Sequence, residues 1–133
     1  MIMLVLSIIY AAALVWVSAV AQHIQNLKVQ GAGWVTSDRS QPVADDGFIG
    51  RSARTLRNNV ESALMYVPVA LVAAVLHHGS GISLWVPAIY MTVRTTFTLF
   101  YWLKLNQLRS LSWLIGMICI LALTVDLAVA ALG

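Results

Sequence analysis

The chain has 133 residues, of which 60% are hydrophobic and 10% are charged, and its formal net charge is +3. Soluble proteins average roughly 45–50% apolar and 25% charged residues, so this composition excludes an ordinary water-soluble domain and predicts an integral membrane protein. The basic excess does not indicate a nucleic-acid partner, because the basic residues cluster in two connections between predicted membrane spans.

Three long stretches lack acidic and basic residues: 1–27, 62–93 and 110–125. A helix of about 20 apolar residues crosses roughly 30 Å of hydrocarbon. The middle stretch is too long for one span and is interrupted by the sequence HHGSG at 77–81. We therefore predict an all-α fold, a single domain over 1–133 that forms a four-helix transmembrane bundle in the lipid bilayer. Its helices are expected at about 2–27, 51–77, 83–105 and 110–131, with a cytoplasmic loop at about 28–50.

The first predicted span resembles a signal peptide in position only. It has no basic residue at its start, and its apolar stretch is longer than the apolar core of a signal peptide. We interpret it as a transmembrane helix.

The distribution of basic residues predicts the orientation. Five of the eight flank the first connection and two flank the third, whereas the second connection and both termini carry none. Lys and Arg concentrate in cytoplasmic loops of membrane proteins. The first and third connections are therefore expected in the cytoplasm, and both termini outside it. The residues are Lys28, Arg39, Arg51, Arg54 and Arg57, then Lys104 and Arg109.

The second predicted span begins with a polar stripe. On a helix, Arg51, Arg54, Asn58 and Glu61 fall within an arc of about 80°, and Arg57 lies about 40° beyond it. A carboxylate two turns into a membrane is costly unless it faces protein or water and has a partner. On the third span Arg94, Thr98 and Tyr101 share a face.

Two interpretations of these stripes are open. In the first, Glu61 pairs with Arg94 to hold two helices together, and the shallower arginines reach anionic headgroups. In the second, the surplus of donors holds an anionic ligand at the cytoplasmic edge. Arg109 and Ser110, at the start of the predicted fourth span, extend that site, because free N–H groups at a helix start favour an anion. Ser110 is also a candidate N-cap.

The run Arg54-Thr55-Leu56-Arg57-Asn58-Asn59-Val60-Glu61 resembles the R-x-x-R-N-x-x-E signature of the MAPEG family, the membrane-associated proteins in eicosanoid and glutathione metabolism. The later residues Arg94, Tyr101, Arg109 and Ser110 resemble that family's third helix and the start of its fourth. The resemblance covers roughly residues 47–116, and it is strongest to short, mostly bacterial members, which implies the bacterial inner membrane.

The resemblance implies a homotrimer with glutathione bound between subunits near the cytoplasmic face. It further implies an enzyme of transferase, peroxidase or isomerase type, with a lipophilic electrophile as its substrate. The glutathione-binding residues would be Arg57, Asn58, Glu61 and Tyr101, with Arg54 and Arg94 in a supporting polar network; Arg109 and Ser110 would be catalytic, at the cysteinyl end.

Two positions depart from the prostaglandin synthase branch of the family, where a histidine and a tyrosine correspond to Phe97 and Trp113. This departure keeps open a second hypothesis, a non-catalytic lipid-binding or scaffold protein of the same fold. A small ion-coupled transporter is a third, since Glu61 and Asp126 are carboxylates within predicted spans.

Three further features have simpler interpretations. Cys119 stands alone and is expected to be a small buried hydrophobe. His77 and His78 point about 100° apart, so no metal site is predicted. Asp126 is expected either to form a hydrogen bond with a neighbouring helix or to relay protons.

Overall fold

The computed structural model of the chain describes residues 1–42 and 45–133. The described residues form four long helices, one short helix and no strand, which confirms the predicted all-α class. Residues 43–44 of the predicted loop lie outside the described residues. The helices are α1 (Ile2–Gln30), α2 (Ala32–Val35), α3 (Gly47–Val75), α4 (Gly81–Trp102) and α5 (Asn106–Leu132).

The largest differences from the predicted bounds lie at the basic connections. α3 begins at Gly47 and α5 at Asn106, four residues earlier than expected in each case. The α4–α5 connection is short because Lys104 adopts a left-handed backbone conformation with φ of 65°, which stops α4 and reverses the chain at once. Asn106 and Gln107, expected in the loop, instead form the first turn of α5.

Three helices, α1, α3 and α5, are long and apolar enough to cross a membrane. The chain is therefore an integral membrane protein, as predicted. α4 does not reach the same apolar content, since its 22 residues include Arg94 and the threonines at 92, 95, 96 and 98.

Side-chain contacts define how the helices pack. Ser7 of α1 hydrogen-bonds to Tyr66 of α3 at 2.7 Å, and Asn59 of α3 donates to Ser18 of α1 at 2.8 Å, so these two helices are antiparallel. α4 packs against α5 in the same way across the short connection. We call the end of the bundle that holds the α4–α5 connection the basic end, and the end that holds residues 76–80 the far end.

The core lies between the four long helices. The rings of Tyr66 and Tyr90 stack with their centroids 3.7 Å apart, among buried Leu4, Ala70 and Leu123. Cys119 is buried and unbonded to another cysteine, as expected of a small hydrophobe; it joins the same core. Many large apolar side chains on the outside of the bundle are exposed, which suits a helix surface that faces lipid.

Candidate functional site

Two adjoining clefts open at the basic end, and Asn58 and Tyr101 line both of them. The first has a volume of about 340 Å³ and lies between α3, α4 and α5. The second has a volume of about 310 Å³ and lies mainly along α3. Asn58, Phe97, Tyr101, Arg109, Ser110 and Trp113 line the first; Arg54, Arg57, Asn58, Glu61 and Tyr101 line the second.

The second cleft carries an ion pair along one helix. Arg57 Nε donates to Glu61 Oε1 at 2.9 Å, with the two residues one helical turn apart. Their side chains are 81% and 50% exposed, so the pair contributes little to stability, about 0.3–0.5 kcal/mol for such a spacing. Either side chain can therefore leave the ion pair and bind a charged ligand with little loss of stability.

Arg54 has a partner that the sequence did not indicate. Its Nη1 donates to the carboxylate of Asp45 at 2.5 Å and to the Asp45 backbone carbonyl at 3.3 Å. The contact ties the residues before α3 to its second turn. Arg51, expected on the same stripe, lines neither cleft; its guanidinium lies over the Phe48 ring, 5.6 Å from the centroid.

Arg109 of the first cleft packs against Tyr101, which lines both clefts. The Arg109 guanidinium carbon lies over the Tyr101 ring, 4.7 Å from its centroid, a cation–π geometry. Arg109 Nη2 also lies 3.4 Å from Ser110 Oγ, at the edge of hydrogen-bond range. The positive charge of Arg109 therefore lies beside the Ser110 hydroxyl in the first cleft.

The predicted role of Ser110 as an N-cap is wrong. α5 begins at Asn106, so Ser110 lies one turn inside it, and its hydroxyl donates to the Asn106 carbonyl at 3.0 Å. The backbone N–H of Arg109 already bonds to the Leu105 carbonyl at 2.9 Å. The free N–H groups of the helix start therefore belong to residues 106–108, not to the cleft residues, and the expected anion site at the helix end is shifted away from Ser110.

Arg94 lies behind the clefts, not in them. It is 2% exposed, its Nη2 donates to the Asn58 carbonyl at 3.1 Å and to Asn59 Oδ1, and its guanidinium carbon lies 4.3 Å from the centroid of Phe97. It does not pair with Glu61, contrary to the first interpretation of the stripes. The reason is rotational: Asn59 and Glu61 are about 200° apart around α3, so Arg94 reaches one and not the other.

Asn59 is a structural residue that the sequence analysis did not single out. Its Nδ2 donates to Ser18 Oγ at 2.8 Å and to Thr98 Oγ1 at 3.0 Å, while its Oδ1 accepts from Arg94. One amide thus connects α1, α3 and α4. The available signal was a second amide side chain, adjacent to Asn58 but on a different face of α3 from the polar stripe.

At the far end, Asp126 joins α5 to the α3–α4 connection. Its Oδ2 lies 2.7 Å from His78 Nε2 and 2.5 Å from Ser80 Oγ. The hydrogen-bonding interpretation of Asp126 therefore agrees with the geometry. Within residues 1–42 and 45–133, no group of three His, Cys, Asp or Glu side chains is arranged to hold a metal ion.

A comparison with protein families matches residues 3–129 to the MAPEG family. The chain belongs to the MAPEG family. The match extends beyond the motif-bearing residues to nearly the whole chain and confirms the resemblance. Neither the curated proteins nor the solved structures contain a match to the chain.

The MAPEG assignment makes the aromatic wall of the first cleft significant. Phe97 and Trp113, the two departures from the prostaglandin synthase branch, both line this cleft. Phe97 is buried and meets Tyr101 edge to face, with centroids 5.6 Å apart, whereas Trp113 is 44% exposed. Neither ring can transfer a proton. The side chains of this cleft that carry a hydroxyl group are Tyr101 and Ser110.

Proposed function

We propose that this MAPEG protein is a glutathione-dependent membrane enzyme of transferase, peroxidase or isomerase type that acts on a lipophilic electrophile. The observation that carries the proposal is the mixed charge of the adjoining clefts. Arg57 and Arg109 offer guanidinium groups and Glu61 a carboxylate, connected by Asn58 and Tyr101.

This donor set suits glutathione, which carries two carboxylates, one ammonium group and a thiol. Guanidinium groups bind carboxylates through charge-assisted hydrogen bonds, and a carboxylate binds an ammonium in the same way. The exposed Arg57–Glu61 pair provides one group of each sign a helical turn apart. A ligand with a single charge would use one of these groups and leave the other unpaired.

The cleft residues have separate tasks in this proposal. Bound glutathione would supply a thiol nucleophile. Arg57, Asn58 and Glu61 hold the peptide, Tyr101 supports it from α4, and Arg109 and Ser110 lie at the sulfur end. Arg54 and Arg94 support the site, the former through Asp45 and the latter through the Asn58 carbonyl. A cation and a hydroxyl donor both favour the thiolate over the thiol.

We further propose four membrane spans, with α4 as the fourth, and a homotrimer that binds glutathione between subunits. A polar face such as that of Arg57 and Glu61 is costly against lipid, and a neighbouring subunit would cover it. The basic end would face the cytosol and both termini the other side, following the excess of Lys and Arg. The bacterial inner membrane is the proposed location.

A second candidate function rests on Phe97 and Trp113. They replace polar side chains of the prostaglandin synthase branch with groups that neither ionise nor transfer protons. A non-catalytic lipid-binding or scaffold protein would retain the clefts but lack turnover.

One experiment separates the two candidates. The detergent-purified protein is titrated with glutathione by calorimetry, and conjugation to 1-chloro-2,4-dinitrobenzene and to aliphatic electrophiles and hydroperoxides is then measured. Saturable binding with turnover of any of these supports the enzyme. Binding without turnover of all of them favours the scaffold, and absence of binding contradicts the glutathione assignment.

A further inference from the structure

The first cleft becomes aromatic with distance from the basic end. Phe97 of α4 and Trp113 of α5 both line it. Each lies four residues further from the basic end than a polar residue of its own helix, Tyr101 and Arg109 respectively, which is about 6 Å along the helix axis. Tyr101 and Arg109 are at the same level, because they are in cation–π contact. The cleft therefore has a charged outer part and an aromatic inner part.

The three aromatic rings of this cleft differ in whether a ring face is open. The guanidinium carbon of Arg94 lies 4.3 Å from the Phe97 centroid, and Arg109 covers Tyr101 in the same way at 4.7 Å. Trp113 forms no aromatic or cation–π pair within residues 1–42 and 45–133, and it is 44% exposed. Its indole is therefore the aromatic surface of the cleft that a ligand can cover.

Trp113 is positioned beside the residues proposed to hold the sulfur of glutathione. It follows Arg109 by four residues and Ser110 by three, so its direction from the α5 axis falls between theirs, about 40° from the first and 60° from the second. Side chains of an α-helix lean towards its N-terminus, so the indole leans towards both residues. A substituent on a carbon that reacts with the sulfur can therefore contact the indole.

The exposed surface next to Trp113 is apolar. Leu111 and Leu114 of α5 are about half exposed, which suits side chains that face hydrocarbon. Trp113 thus lies between this surface and the charged part of the cleft. A hydrophobic compound dissolved in the membrane reaches the indole before it reaches Arg109.

We infer that Trp113 selects the electrophile, and that the substrate class is a compound whose reactive carbon carries a planar aromatic group. The inference rests on the proposed glutathione-dependent function. The aromatic group stacks on the indole while glutathione occupies the charged part of the clefts. Two aromatic rings attract each other beyond the effect of buried area, whereas a saturated ring of the same size gains the area effect alone. Trp113 is therefore a specificity-determining residue and transfers no proton.

Two glutathione conjugates that differ only in ring saturation test the inference by binding. S-benzylglutathione carries a flat ring, and S-(cyclohexylmethyl)glutathione carries a saturated ring with the same number of carbons. Calorimetric titration of the detergent-purified protein should give S-benzylglutathione the higher affinity by about fivefold. A cleft that selects by hydrophobicity alone would prefer the cyclohexylmethyl conjugate, which has the larger apolar surface.

Variants show where the preference originates. Trp113→Leu keeps an apolar side chain and should reduce the affinity ratio to about one, whereas Trp113→Phe keeps a smaller aromatic ring and should retain part of the preference. Trp85→Leu is the matched control, because Trp85 is 72% exposed near the start of α4, at the far end. It should leave the ratio unchanged. The comparison of conjugates on the parent protein remains decisive if Trp113→Leu fails to fold.

Conjugation rates give a second readout. The electrophiles are 4-phenylbut-3-en-2-one and 4-cyclohexylbut-3-en-2-one, to which glutathione adds. The sulfur bonds to the β-carbon, the α-carbon takes up a proton in place of the one that the thiol lost, and no group leaves. Each kcat/KM is divided by the uncatalysed rate constant with free glutathione, because the phenyl ring changes the reactivity of the double bond. The phenyl compound should have the higher normalised value, and Trp113→Leu should remove the difference.

The outcomes separate this inference from the proposed function. Equal affinities of the two conjugates, with glutathione itself bound, would overturn the inference and leave the proposed function in place; Trp113 would then only anchor α5 near the membrane interface. A preference for S-benzylglutathione that survives in Trp113→Leu would place the aromatic group elsewhere in the cleft. Absence of binding by glutathione and by both conjugates would contradict the proposed function, and the inference with it.

Discussion

Arg109 is the cleft residue with the most direct influence on a bound thiol. Its guanidinium stacks on Tyr101 and reaches towards Ser110, so its charge lies in the first cleft. Ser110, by contrast, already donates its hydroxyl to the Asn106 carbonyl and lies past the free N–H groups of α5. Stabilisation of a thiolate at this site should therefore depend more on Arg109 than on Ser110.

The first prediction compares these two residues. In the parent protein the pKa of bound glutathione thiol should fall from the usual value of about 8.5 towards neutrality. Ser110→Ala should raise that pKa slightly and reduce turnover more than binding, whereas Arg109→Ala should raise it further because it removes a charge. The ultraviolet absorbance of the thiolate, followed against pH, measures the pKa.

Lys104→Ala is the matched control for Arg109→Ala. It removes a positive charge from the same end but lines neither of the two clefts, so the thiol pKa should not change. If the bound thiol of the parent protein titrates like free glutathione, the site does not activate it, and the scaffold function becomes the better proposal.

The second prediction concerns the exposed ion pair. Arg57→Ala and Glu61→Ala should each weaken glutathione binding by about 1.5–3 kcal/mol, the range for a hydrogen bond to a charged group. The free energy of unfolding of both variants should be nearly unchanged, because an exposed pair contributes little to stability. Calorimetric titration measures the binding, and Asp126→Asn at the far end is the control that should leave it unchanged. Equal losses in all three variants would indicate a folding defect instead of lost ligand contacts.

At the scale of the helices, the network around Asn59 holds α3 in register with α1 and α4. Arg94 is a buried cation whose partners among the described residues are neutral: the Asn58 carbonyl, the Asn59 amide and the Phe97 ring. A buried charge that loses its hydrogen-bond partner is strongly destabilising. The network therefore fixes the position of Asn58, which lines both clefts.

The third prediction uses two adjacent asparagines as a matched pair. Asn59→Ala should reduce the free energy of unfolding of the bundle by about 1–3 kcal/mol, since Arg94, Ser18 and Thr98 each lose a hydrogen-bond partner. Asn58→Ala should leave stability nearly unchanged, because Arg94 bonds to the backbone of that residue. Asn58→Ala should instead weaken glutathione binding.

Thermal unfolding in detergent and calorimetric titration measure the two effects. Similar melting temperatures for both variants would show that the Asn59 network does not stabilise the bundle. Unaltered glutathione affinity in Asn58→Ala would remove that side chain from the proposed site.

At the scale of the whole molecule, the two ends of the bundle differ in charge. The basic end carries the clefts and the exposed Arg57–Glu61 pair, and the far end carries one carboxylate in an apolar groove. A polar cleft on the side of a membrane bundle needs a protein neighbour or water, because lipid cannot form its hydrogen bonds.

The fourth prediction follows from that requirement. The protein should be a homotrimer whose neighbouring subunits cover the clefts, so native mass spectrometry in mild detergent should show three copies. Glutathione should stabilise the assembly, because a ligand bound between subunits favours the associated state. A monomer that binds glutathione with unchanged affinity would contradict the inter-subunit site.

The sequence by itself determined the class of protein and the faces of its helices. Its charge-free stretches specified an all-α membrane protein, since only long apolar helices bury their backbone polar groups within one segment. Its helical spacing placed Arg51, Arg54, Asn58 and Glu61 on one face with Arg57 beside them, and of these five residues all but Arg51 line the clefts. This success has a simple cause: the 3.6-residue period relates residues within one helix without reference to any other.

Only the tertiary structure decided which side chains meet across helices. Arg94 reaches Asn59 and not Glu61, Arg54 pairs with Asp45, and His78 pairs with Asp126. These partners depend on how far each helix is rotated and shifted against its neighbours. That arrangement results from packing and from the need to satisfy buried donors and acceptors, neither of which follows from the period of a single helix.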